Sequence, residues 1–217
     1  MDAETARNLR RFAAGSGIAS AILGVVGALL PGSSPSSLRG DPPLQIAGYF
    51  EVHQGAIEAG LYILALSAVA LILFLGGLRW TLAERYGPLG AVAFAAGIAG
   101  AALQLAGLAV WLALAERAGS ALDLPTATSM AETGNAIAGF SWFAFAVMFA
   151  VIAYLSLAED AFPAWIGWLS AALVPLALVS APIAGSAIES VTAIGLAAWV
   201  IGISVLILRP QPRSGSR

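Results

Sequence analysis

The sequence predicts an all-α polytopic membrane protein, a bundle of six transmembrane helices with both termini on the inner side. Three observations carry that prediction. The 217 residues are 59% hydrophobic and only 10% charged, with a mean hydropathy of +0.89. A soluble domain carries about 25% charged residues, so this chain has too little polar surface to face water on all sides. Six apolar stretches approach the roughly 20 residues that a helix needs to cross the hydrocarbon core. The arginines fall mainly on alternate connections between those stretches.

The predicted helices cover about 12–30, 53–78, 88–115, 133–157, 164–184 and 190–208, within one transmembrane domain of residues 1–217. None of them shows the strict alternation of a barrel strand. The first follows a basic lead-in, Arg7, Arg10 and Arg11, and should stop at Pro31 and Pro35. A basic start before an apolar run also suits a signal peptide, but Ala28-Leu29-Leu30 before Pro31 makes a poor cleavage site, so an uncleaved helix is expected. Long connections are expected at 31–52 and 116–132 and short ones elsewhere. With the N-terminus inside, the inner side holds Arg7, Arg10, Arg11, Arg79, Arg85, Arg209, Arg213 and Arg217, and the outer side only Arg39 and Arg117. That bias places both termini in the cytoplasm of a cell whose inner or plasma membrane holds the chain.

Composition also excludes several functions. The formal charge is −2, with no basic stripe interleaved with aromatics, so no nucleic-acid partner is expected. Cysteine is absent and histidine occurs once, at His53. Disulfides, thiolate metal sites and bis-histidine haem are thereby ruled out within one chain, and no metal or cofactor is expected. The lipid bilayer is the expected partner.

Close helix packing is written into the spans as small residues at helical spacing. Ala93, Gly97, Gly100, Gln104, Gly107 and Trp111 form one stripe on the third span; Gly17, Ser20 or Ala21, Gly24 and Ala28 do so on the first, Asn135, Gly139 and Trp142 on the fourth, and Gly195, Trp199 and Gly202 on the sixth. Such stripes let backbones approach where lipid gives apolar burial no advantage, within one bundle or between copies in an oligomer. Gln104 adds an amide near mid-membrane that needs a partner. Two inner turns, Leu82–Pro88 and Leu157–Pro163, share L-A-E-x-x-x-P, with proline expected in the first turn of the next helix. Trp80, Trp165 and Trp168 fall where an aromatic belt is expected. Pro175 should kink the fifth span and Pro182 should end it.

The candidate site opens the second span. In "YFEVHQGAIEAGLY", Glu51, Gln54 and Glu58 fall on one helix face, with His53 beside it. Glu58 lies about 10 Å deeper than Glu51 by helical rise. An ionised carboxylate against lipid is costly, so Glu58 should face the bundle or a wet cavity, with His53, Arg117 or Arg39 as partner. Glu132, Asn135, Trp142, Ser186 and Glu189 fall in the same outer half. The expected ligand-binding set is Glu58, His53, Gln54, Gln104, Glu132, Asn135 and Trp142, with a small molecule or lipid as ligand.

The stretch from Tyr49 to Leu82 resembles a domain of unknown function found in small multi-pass bacterial membrane proteins. The shared elements are Tyr49-Phe50, His53, Gly55, Ile57, Gly60, Tyr62, Phe74, Leu78 and Arg79, with "RRFAAGSGIASAILGVVGALLPG" at the start and an arginine-ended last helix. The resemblance implies a six-helix membrane protein and brings no catalytic residues. Three functions stay open: binding or transport through an outward-facing polar pocket, an accessory subunit packing on a partner, and a lipid-modifying enzyme using Glu58 and His53 as acid and base. The chain carries no activated-serine motif, no H-E-x-x-H and no phosphate-binding glycine loop, so no catalytic residue is assigned.

Overall fold

The computed structural model describes residues 3–30, 43–117, 123–183 and 186–209. Its elements are α1 (Ala3–Leu29), α2 (Pro43–Arg117), α3 (Leu124–Ala158), α4 (Ala164–Ser180) and α5 (Ala187–Leu208), with a 3₁₀ turn, Ala181–Ile183, after α4. Six helical segments are long and apolar enough to cross a membrane, because α2 supplies two of them, Val52–Ala83 and Arg85–Arg117. The all-α, six-helix class is therefore as the sequence predicts.

The helices run further than hydropathy alone indicated. Residues 43–52 and 124–132, expected as connection, are helical, and α1 begins in the basic lead-in at Ala3. Polar residues in these stretches do not break the helix; they only lower the apolar signal used to find it. The turn between the second and third spans is a single non-helical residue, Tyr86 at φ −121° and ψ 25°. Gly87 and Pro88 follow it, and proline costs little there because a helix's first N–H groups have no intrahelical partner. The second L-A-E-x-x-x-P turn is built differently. Asp160 adopts a left-handed φ of 53°, and Pro163 caps α4 from outside rather than sitting in its first turn. The shared letters therefore do not mark equivalent hairpins. Pro175 lies within α4 and is exposed, and α4 stays helical through it. Pro182 falls in the 3₁₀ turn that ends the span, as expected.

Consecutive segments pack antiparallel, and glycine contacts trace the order. A Cβ on Gly77 would collide with Ala13, one on Gly17 with Ser204 and Phe74, and one on Gly27 would stand 2.8 Å from Leu64. Thus α1 lies between the first arm of α2 and α5. The two arms meet at Leu75 and Gly97, where an added Cβ would be 2.9 Å from the leucine. The second arm meets α3 where Gly100 faces Phe145 and Gly107 faces Gly134 and Ala138. Gly167 receives Leu157, and Gly195 receives Leu173, which joins α3 to α4 and α4 to α5. Most positions of the stripes read from the sequence are filled by helices of this same chain, although Ala28 is exposed. Alternating direction brings the start of α1 and the end of α5 to the same end of the bundle, here called the terminal end.

A large core fills the middle. Phe74, Phe145, Phe149 and Trp199 are fully buried, and the Trp199 ring stands edge-on to Phe149 at 5.5 Å and to Phe74 at 6.2 Å. Its indole N–H donates to Ser170 Oγ at 2.8 Å, and that hydroxyl donates to the Ile166 carbonyl. Ser180 and Thr192 pair at 2.8 Å between α4 and α5. Polar groups buried in this layer are thus mostly satisfied by short local bonds, as lipid requires.

Candidate functional site

A second, smaller core sits at the end remote from the termini. It joins Ile57 and Leu61 of the first arm, Trp111, Leu114 and Ala115 of the second, and Ala127 and Ala131 of α3. No described residue of α1, α4 or α5 belongs to it. Helix length explains why. α4 has 17 residues and α3 has 35, or about 26 Å against about 52 Å at 1.5 Å per residue. The two arms of α2 and the start of α3 therefore project past their shorter neighbours as a three-helix tip.

The candidate residues ring this tip. Glu58 follows the fully buried Ile57 and is half-buried. One helical step turns it about 100° from the buried face, toward the lipid-side stripe that carries exposed Tyr62. Gln54 Nε2 donates to Glu58 Oε1 at 2.9 Å, one turn away. The structure thus gives Glu58 an amide partner in place of the expected histidine or arginine. Arg39 lies outside the described residues. His53 is half-buried and lies five residues before Glu58, roughly 140° around the helix, so the two do not share a face. Helical rise puts Glu58 about 33 Å from Trp80, so it stands near the rim of a hydrocarbon core about 30 Å thick rather than deep in it.

On α3, Glu132 is exposed beside buried Ala131, and Asn135 is 8% exposed. Asn135 follows Gly134, whose added Cβ would stand 2.9 Å from the Trp111 indole nitrogen. Close backbone approach there holds Asn135 against the second arm. Neither Asn135 nor half-buried Gln104 makes a hydrogen bond to another described residue. Gln104 lies on the packed stripe between Gly100 and Gly107, two turns below Trp111.

Trp142 belongs elsewhere. It is buried in the large core, its ring tilted by 59° against Phe145 with centres 5.7 Å apart, and its indole N–H donates to Glu189 Oε1 at 3.2 Å. Glu189 lies in the first turn of α5 and donates its backbone N–H to the Ser186 cap. The Ser186-Ala-Ile-Glu189 spacing is a capping-box signature that could have marked this helix start. The pairing across α3 and α5 carried no sequence signal, because it joins residues 47 apart. The arrangement as a whole offers hydrogen-bond acceptors and amides in a shallow rim. Along the helix, Glu58 and His53 do not face each other.

Six long apolar helices and the filled aromatic core define a multi-pass integral membrane protein. Comparison with known proteins returned no match to a family model, a curated protein or a solved structure. The resemblance read from the sequence is supported in its coarse part, the six-helix membrane fold.

Proposed function

We propose that the protein is a binding protein for a small or lipid-like molecule, with its site on the rim of the three-helix tip. It would lie in the inner or plasma membrane with both termini cytoplasmic, so that the tip faces outward, as the arginine bias requires. The observation that carries the reading is Asn135, an amide in the packed seam of the tip whose polar atoms make no hydrogen bond to a described residue and still reach the surface. Such an amide is open to a hydrogen bond from a molecule outside the chain. Glu58 and Gln54 supply a carboxylate and a second amide at the same end, and Glu132 a further carboxylate. The set suits a head group rich in hydrogen-bond donors, or a cationic one, on an apolar body lodged beside Tyr62. Binding is favoured over passage through the chain, because Phe74, Phe145, Phe149 and Trp199 fill the bundle below the tip.

The test is to extract the full chain in mild detergent and identify co-purifying molecules by mass spectrometry. The wild type should retain a species that Glu58→Gln and Asn135→Leu both deplete about fivefold or more, while His53→Ala depletes it less. Equal recovery from all four proteins would overturn the site.

A further inference from the structure

At the terminal end, three arginines lie over aromatic rings. The Arg10 guanidinium stands 5.6 Å from the Trp80 ring centre, Arg79 5.2 Å from Phe94 and Arg85 5.2 Å from Tyr86. None of the three forms an ion pair with a described residue. A guanidinium stacked on a ring keeps its N–H donors in its own plane, free for an external acceptor. Arg10 is the most developed case. Arg7, Arg10 and Arg11 stand at i, i+3 and i+4 on one face of α1. Arg7 and Arg11 are exposed, while Arg10 and Trp80 are half-buried. Ala13 seats on Gly77 just below, which fixes α1 against the first arm and so fixes Arg10 over Trp80. Exposed Trp165 and Trp168 lie in the first turns of α4 at the same end, as expected where indoles settle at an interface.

We propose that Arg7, Arg10 and Arg11 with Trp80 form a binding site for the head group of an anionic phospholipid in the leaflet at the terminal end. Arg10 is the anchor. Its planar fork matches a phosphate bidentately, Trp80 holds the fork in place, and Arg7 and Arg11 close on the remaining oxygens or a second negative group. The level of the site sets the source of the phosphate. Below it the first span of α1 is apolar to Leu29, so acyl chains extend along α1 and the first arm while the head group meets the arginines. The acidic groups described at this end, Glu4, Glu159 and Asp160, pair with none of the three arginines on α1.

Native mass spectrometry of the full chain in detergent, titrated with phosphatidylglycerol or phosphatidylcholine of the same acyl length, tests the proposal. The anionic lipid should bind more tightly. Arg10→Gln should weaken it about fivefold, the equivalent of about 1 kcal/mol for one interfacial arginine, and leave phosphatidylcholine unchanged. Trp80→Leu, which keeps every charge, should also weaken it. Arg209→Gln removes an exposed arginine at the same end and should change binding less than about twofold. Equal losses from Arg10→Gln and Arg209→Gln would reduce the effect to diffuse surface attraction and overturn the site. Displacement of the lipid by millimolar glycerol phosphate would overturn it as well, because the site would then belong to a soluble anion.

Discussion

Glu58, Trp199 and Ser204 show three ways in which this chain carries polarity in lipid. Glu58 stays at the rim and takes a hydrogen bond from its own helix. Trp199 is fully buried and spends its one donor on Ser170. Ser204 Oγ is buried with no hydrogen-bond partner. Each case makes a different expectation. Trp199→Phe should cost about 0.5–1.5 kcal/mol, one hydrogen bond, because Ser170 keeps its bond to Ile166. Trp199→Ala should cost about 3–5 kcal/mol through the cavity it leaves among Phe74 and Phe149. Ser204→Ala should be neutral or raise stability by up to about 1 kcal/mol, since it removes an unsatisfied hydroxyl. Unfolding of the detergent-solubilised variants, followed by tryptophan-independent circular dichroism, measures all three. At this scale the sequence was only partly legible. The presence of Glu58 near the outer end and its neighbourhood with Gln54 follow from helical spacing. Its quarter-turn toward lipid, and the removal of Trp142 to a partner on α5, depend on which faces the other helices cover.

Among the elements, α1 depends on two adjacent glycines that play opposite parts. A Cβ on Gly77 would collide with Ala13, whereas one on Gly76 would meet nothing within 4 Å. Gly77→Val should therefore destabilise by about 1–3 kcal/mol by forcing α1 off the first arm. Gly76→Ala should be neutral or stabilising by up to about 1 kcal/mol, because helical alanine loses less backbone freedom than glycine. Thermal unfolding of the two variants in one detergent separates them, and equal effects would mean that α1 does not seat there. Ser186→Ala should cost about 1 kcal/mol by releasing the cap of α5. Small-residue spacing made the seams readable from sequence, since a stripe of glycine on a helix has few other uses in lipid. Gly76 and Gly77 are not told apart that way, because only the neighbour's position decides which one is needed. Helix ends were read too short for a related reason. Hydropathy reports where lipid begins, and helices here continue past that point into the tip.

For the whole molecule, the lengths of the helices position the proposed site. α4 and α5 stop early, the arms of α2 and the start of α3 continue, and the polar ring falls on the part that projects. Six antiparallel segments bring the start of α1 and the end of α5 together, and in the orientation we propose from the arginine distribution that end faces the cytoplasm. Absence of cysteine from the sequence makes the assignment open to a clean measurement. Ser129 is exposed on α3 near the tip, and Ala164 is exposed at the opposite end, where α4 begins. Single cysteines placed at each position can be challenged in intact cells with a membrane-impermeant maleimide. The account predicts labelling of Ser129→Cys in intact cells and of Ala164→Cys only after the membrane is opened. Labelling of Ala164→Cys in intact cells with Ser129→Cys protected, or of both alike, would contradict it.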